Sequence, residues 1–114
     1  MKQFVKVMKA LSEPNRLKIL KMLQHRACCV CEIKETLGIA QPTVSKHLRV
    51  LETAGLVSAQ KQGLWVKYHL SDGRSSPYAA TLMGNLRHWL NEDSEVTKTM
   101  ERMQTVDTVQ ITKR

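Results

Sequence analysis

The chain has 114 residues, 42% of them hydrophobic and 25% charged, with three cysteines and a net charge of +8; this is one domain of ordinary globular composition, short for an enzyme with a lid and too apolar for general disorder. No apolar run approaches the roughly 18 residues that span a bilayer, and Met1-Lys2-Gln3-Phe4 leads into a charged helical pattern rather than a secretory leader, so a cytoplasmic protein is expected. Charge is uneven: residues 1–26 carry +6, residues 41–70 carry +3 and the segment from Glu92 onward carries −1, a distribution suited to neutralising phosphates with the body of the chain.

Phe4, Val5, Met8 and Leu11 recur at helical spacing, and Ser12 offers an N-cap for a second helix with Glu13 and Pro14 in its first turn. Leu17, Leu20 and Leu23 line one face of that helix, with Lys18 and Lys21 off it. Cys31 to Leu37 reads as a short third helix, ended by Gly38 as a left-handed stop. A fourth pattern starts at Gln41-Pro42-Thr43 and ends at Gly55. Two short helices with a tight glycine-containing turn form a helix-turn-helix. In the fourth helix Val44, Leu48 and Leu51 share a stripe for burial, while Ser45, Lys46 and Arg49 point away from it with Gln41 and Thr43 on the flanks.

Leu56 to Lys61 and Leu64 to Leu70 are runs around Gln62-Gly63 that predict a β-hairpin with a basic tip, Lys61-Gln62-Gly63. A hairpin directly after a helix-turn-helix is the layout of a winged helix. The expected fold is therefore mainly α with a small β-hairpin: a winged helix-turn-helix of about five helices plus a two-stranded wing, over residues 1–91. Ser75-Ser76-Pro77 leads into the last helix, whose Tyr78, Leu82, Leu86, Trp89 and Leu90 form a stripe with no partner inside so small a domain. With Phe4, Met8 and Leu11 it is expected to pair with its copy in a homodimer. Residues 92–114 read as a polar C-terminal tail with little periodicity.

The major groove of double-stranded DNA admits one helix, which makes Gln41, Thr43, Ser45 and Lys46 the candidate base readers. Arg49 and the wing residues Lys61, Gln62 and Lys67 suit backbone contacts, which set register without reading sequence. His47, at the edge of the apolar stripe, is either a packed histidine or a DNA contact. A dimer presents two recognition helices about one DNA turn apart, so the expected target is an imperfect inverted repeat.

All three cysteines fall within Cys28-Cys29-Val30-Cys31. So close together they form no disulfide framework, and clustered thiols in a reducing compartment bind metal or sense redox state. Thiolates suit thiophilic ions, and a helix N-terminus lowers a thiol pKa. On a regular helix Cys29 and Cys31 project about 200° apart. Capture of one ion by both must then re-aim the first turn of the helix that supports the recognition helix, shifting the population away from the DNA-competent form. No His, Asp or Glu constellation accompanies the thiols, so an enzyme is not expected. Sensing of cadmium, lead or oxidants through the same thiols is one alternative; a constitutive DNA-binding protein with packing cysteines is another.

Four stretches, Ala10-Leu11-Ser12-Glu13-Pro14-Asn15-Arg16-Leu17, Cys29-Val30-Cys31-Glu32-Ile33, Val44-Ser45-Lys46-His47-Leu48 and Lys61-Gln62-Gly63-Leu64-Trp65-Val66-Lys67-Tyr68, resemble the ArsR/SmtB family of winged-helix repressors over roughly residues 5–90. The resemblance implies a homodimeric repressor that binds its operator when empty and leaves it when As(III) or Sb(III) is captured by thiolates at the third helix, with no organic cofactor. Cys29 and Cys31 match the family's Cys-Val-Cys pair. The familiar third cysteine lies three residues further on, where this chain has Lys34. Cys28 is the available substitute, at the cost of a local distortion beside Cys29; two-thiolate capture completed by an outside ligand is the alternative. Ala40 stands where the family often has a serine cap for the recognition helix. His88 lacks the second histidine of the family's zinc-sensing members, so that site is expected to be absent.

Overall fold

The computed structural model describes residues 1–74 and 76–106; Ser75 and residues 107–114, the end of the expected polar tail, lie outside the described residues. In chain order the elements are α1 (Lys2–Leu11), α2 (Pro14–His25), β1 (Cys28–Cys29), α3 (Val30–Leu37), α4 (Gln41–Thr53), β2 (Val57–Gln62), β3 (Trp65–Leu70), α5 (Pro77–Leu86) and α6 (Ser94–Thr105). The three strands form one antiparallel sheet in the order β1-β3-β2. The winged helix-turn-helix is as the sequence predicts, with a sixth helix and a third, two-residue strand added to it.

The junction of α1 and α2 is displaced by one residue from its expected place. Ser12 closes α1, its hydroxyl donating to the Met8 carbonyl at 2.8 Å, and Glu13 is the N-cap of α2, its carboxylate accepting from the Arg16 amide at 2.8 Å. Pro14 explains the shift: a residue before proline is pushed into extended backbone, and Glu13, at φ −155° and ψ 128°, already has the conformation a cap requires. Arg16 then reaches back over the end of α1, donating from Nε to the Ala10 carbonyl at 2.7 Å and from Nη2 to the Lys9 carbonyl at 3.0 Å.

The core is built on Ile19, Leu20, Met22 and Leu23 of α2, with Ile33 of α3, Val44, Leu48 and Leu51 of α4, and Leu56 and Val57 entering the wing. Lys21, expected off the apolar face, is buried. Its ammonium donates to the Leu86 carbonyl at 2.8 Å, the Trp89 carbonyl at 3.0 Å and Asn91 Oδ1 at 2.7 Å, which closes the C-terminal end of α5. Burial pulls the Lys21 pKa down from its ordinary value. Replacing Lys21 by Met leaves those acceptors without their cation and is expected to cost about 1–3 kcal/mol of stability, read from the urea midpoint. A change within about 0.5 kcal/mol would mean that water satisfies the three oxygens equally well.

That cation also marks where the sequence reading of the last helix fails. The stripe from Tyr78 to Leu90 predicted one helix, but α5 stops at Leu86, and Leu90 takes a positive φ of 65°. The chain turns back and α6 begins at Asp93, whose carboxylate accepts from the Glu95 and Val96 amides at 3.0 and 3.1 Å. Residues 94–105, expected within the polar tail, thus form a helix packed on α2 and α3. Its buried Val96, Thr99 and Met103 carry helical spacing that a threonine conceals. Arg102 donates to the Glu35 carbonyl at 3.3 Å, and Lys18 pairs with Glu95 at 3.3 Å.

Candidate nucleic-acid interface and thiol site

Val44, Leu48 and Leu51 seat α4 on the core against α1, α2 and α3. Gln41, Thr43, Lys46 and Arg49 are exposed on its other side and Ser45 is half-buried. Ala40 precedes the helix without a side-chain cap, its carbonyl alone accepting from the Thr43 and Val44 amides at 3.0 and 3.1 Å. His47 is packed: its Nδ1 lies 3.3 Å from Arg16 Nη1 and its Nε2 3.8 Å from the Glu13 carboxylate. In the wing, Gln62 pairs with Trp65 across the two-residue loop Gly63-Leu64, so the tip is one residue later than predicted. Gly63 holds φ 62° at the first loop position, and Leu64 is almost wholly exposed. Lys61 and Gln62 are exposed beside this tip, and Lys67 is half-buried on β3.

The thiols lie where β1 meets α3. Cys29 is the N-cap of α3 with extended backbone, φ −84° and ψ 166°, so it stands before the helix rather than on it. Its sulfur accepts the Glu32 amide while the Glu32 carboxylate accepts the Cys29 amide at 3.1 Å, a capping box with cysteine in the serine position. This overturns the 200° separation expected for Cys29 and Cys31: the helical geometry does not apply to Cys29, and Cys31 lies near enough to help raise its pKa. Cys28 turns the other way. It belongs to the hydrophobic core, and its thiol donates to the Arg26 carbonyl at 3.5 Å. Both backbones pair with the wing, Cys28 opposite Tyr68 and Cys29 opposite Lys67.

Glu32, buried, forms an ion pair with Arg26. Burial works against its ionisation, but the Arg26 guanidinium and the Cys29 amide outweigh burial and hold its carboxyl below the usual carboxylate range. The thiols respond in the opposite direction to the one expected at a helix N-terminus. Burial, then the Glu32 carboxylate, pushes the Cys28 thiol up to about 12 against the pull of Arg26 and Lys67. Burial, then the hydrogen bond with Cys31, pushes Cys29 up to about 12. Desolvation exceeds the helix-terminus effect here. Sequence reading missed Arg26 and Glu32, although the spacing Cys29-x-x-Glu32 is a capping-box signal. Among the described residues no three His, Cys, Asp or Glu side chains converge on a common centre. The soft donors Cys29 and Cys31 fit a thiophilic ion as a pair; a third donor is not in place.

The expected dimer face is partly present. Phe4, Met8, Tyr78 and Trp89 are exposed, with Phe4 and Tyr78 meeting edge to face at 5.3 Å between ring centroids. Leu11 and Leu82 are half-buried. Leu86 is a correction: at 4% exposure it belongs to the protomer's own core. Met8, Leu11, Leu17, Leu82 and Trp89 line an apolar groove between α1 and the end of α5. Among the described residues no helix is long and apolar enough to cross a membrane.

Comparison with known proteins agrees with this geometry. Residues 13–59 match the family model described as bacterial regulatory protein, arsR family. An uncharacterised HTH-type transcriptional regulator of Methanocaldococcus jannaschii is 45% identical over 69 residues, covering 60% of this chain and 78% of that protein. The arsenic resistance transcriptional regulator ArsR1 of Pseudomonas putida is 30% identical over 92 residues, covering 77% and 72%. The arsenical resistance operon repressor of Escherichia coli is 38% identical over 68 residues, where the chain spans only 58% of the relative's length. Among solved structures, the transcriptional repressor BigR of Xylella fastidiosa superposes with a TM-score of 0.67 at 28% identity, over 79% of this chain and 86% of that one. The homodimeric winged helix-turn-helix DNA-binding domain Mb0332 of Mycobacterium bovis gives 0.65 at 28% identity, over 80% and 81%. With its exposed α4 face, its wing and these likenesses, the chain belongs to the arsR family of bacterial regulatory proteins.

Proposed function

We propose that the chain is a homodimeric transcriptional repressor that holds an imperfect inverted repeat of double-stranded DNA with α4 and the wing, and releases it when As(III) or Sb(III) is captured by the thiolates of Cys29 and Cys31. The observation that carries the ligand reading is the pairing of Cys29, as the cap of α3, with Cys31 in the first turn of the same helix. The names of the Pseudomonas and Escherichia relatives support a metalloid as inducer. The exposed apolar residues of α1 and α5, and the homodimer described for Mb0332, support the dimer. In it Gln41, Thr43, Ser45 and Lys46 read base edges, while Arg49, Lys61, Gln62 and Lys67 meet the backbone.

Capture by a shared ion re-aims the Cys29 sulfur that now caps α3. As that sulfur turns away from the Glu32 amide, the amide loses its acceptor and the start of α3 loosens. Because α3 packs on α4, the DNA-competent arrangement becomes less populated. Burial holds the proton on Cys29, so capture there depends on the strength of the sulfur bond rather than on preformed thiolate. The test is anisotropy of a labelled fragment of the upstream DNA, titrated with arsenite under reducing conditions. The native chain is expected to lose at least about tenfold in affinity, about 1.4 kcal/mol, while Cys29→Ser and Cys31→Ser bind DNA and stay bound. Unchanged native affinity in excess arsenite would refute the metalloid reading. Cadmium, lead and peroxide in the same assay separate other inducers acting through these thiols. The burial of Cys28 and Cys29 favours one rival, a constitutive DNA-binding protein with structural cysteines, and that rival is the outcome if no addition releases DNA.

A further inference from the structure

The two neighbouring cysteines face opposite ways because they form a strand. In extended backbone successive side chains alternate, and here Cys28 enters the core beside Arg26 while Cys29 meets Cys31 and Glu32. The same two residues are all of β1, and their partners are Tyr68 and Lys67 of the wing strand β3. Three sulfurs therefore cannot surround one atom while β1 is intact. Bringing Cys28 to the side of Cys29 requires the peptide between them to rotate out of extended backbone, and that rotation removes the pairing with β3.

We propose that β1 is a strand-pairing switch that makes the wing sensitive to how many thiolates an inducer takes. An inducer that takes three recruits Cys28, breaks β1 from β3 and opens the edge of β3 at Lys67 and Tyr68, so that the hairpin, still held together by β2, loses its link to the start of α3; an inducer that takes two leaves that link in place. The proposal rests on Cys29 and Cys31 as the capture pair and adds a second route to release, through the wing as well as through α3. In the three-thiol case Cys28, Cys29 and Cys31 each replace one hydroxyl of arsenous acid. Three As–O bonds are exchanged for three As–S bonds, and each thiol proton leaves with a hydroxide as water, with no change of oxidation state. With phenylarsine oxide, Cys29 and Cys31 supply two sulfurs, and both protons leave with the oxide oxygen as one water.

The experiment is hydrogen exchange of the wing segment 65–70 in the full chain, with arsenite or phenylarsine oxide, alongside a count of thiols left open to alkylation after denaturation. Arsenite is expected to protect three thiols and to speed exchange roughly tenfold at the β3 amides that face β1, while those that face β2 stay protected. Phenylarsine oxide is expected to protect two thiols, leave Cys28 free and leave exchange unchanged. A Cys28→Ser chain should bind arsenite through two thiols without the change in the wing. Three thiols protected with unaltered exchange would overturn the switch, and so would arsenite protecting only two thiols in the native chain. No thiol protected by either compound would refute the capture pair itself, a separate failure. Should Cys28→Ser not fold, the contrast between the two arsenicals on the native chain still decides.

Discussion

Truncating Leu48 to Ala is expected to lower the free energy of unfolding by about 2–5 kcal/mol, whereas Arg49→Ala, one residue further along the same helix, is expected to leave it within about 0.5 kcal/mol. Leu48 is 1% exposed and fixes α4 to the core; Arg49 is exposed. Against the roughly 5–15 kcal/mol that holds a small domain together, the first loss is large enough to leave a sizeable unfolded fraction on heating. Urea unfolding followed by circular dichroism measures both. The functional effects are reversed. Arg49→Ala should weaken DNA binding and flatten the dependence of affinity on salt by about one unit of slope per protomer, as expected for one lost phosphate contact. An unchanged slope would move Arg49 out of the DNA interface, and a stable Leu48→Ala chain would mean that the helix is not anchored through its buried stripe.

Alkali is expected to unfold the native chain earlier than a chain in which Cys28 and Cys29 are replaced by Ser. Burial raises both thiols from an ordinary 9.0 to about 12, so the folded chain holds these protons more tightly than the unfolded one. Below pH 9 both states are protonated and the thiols' full contribution is present. As pH rises from 9 toward 12 the unfolded thiols ionise while the folded ones resist, and stability falls. The serine chain has no such groups, so its urea midpoint should fall less over the same window. Parallel profiles for the two chains would contradict the desolvation of these sulfurs. The same property predicts that iodoacetamide modifies Cys28 and Cys29 slowly at neutral pH despite their place at a helix N-terminus.

The layout of helices and wing was legible because each element carries its own period: the α4 stripe of Val44, Leu48 and Leu51, the alternation through β3, and Gly38 and Gly55 as stops. The thiol cluster was legible as well, since three cysteines within four residues are conspicuous. Its geometry was not. Whether Cys29 begins the helix or precedes it depends on a hydrogen bond that the Cys29 amide donates to the Glu32 carboxylate, and a two-residue strand has no period to detect; β1 exists because β3 comes to it from a distant part of the chain. Lys21 misled for a related reason, because a lysine reads as solvated until three oxygens at the end of α5 are known to surround it. The helix α6 was hidden by composition, its buried face including Thr99 among a run of polar residues.

Arg16 bears on how far apart two DNA half-sites can lie. Arg16 holds the last carbonyls of α1 with two of its nitrogens and touches His47 of α4 with a third. Were the dimer joined through α1 and α5, the guanidinium would be one of the contacts, beside the direct packing of α1 on α4, that fix the angle between the dimer surface and the surface that meets the groove. A few degrees of tilt there are magnified by the length of the protomer into ångströms of separation between the two reading heads. Tolerance for spacers of different length would then be a property of the interior of each subunit, and an operator library varied only in spacer length would report on how rigidly α1 is held to α4.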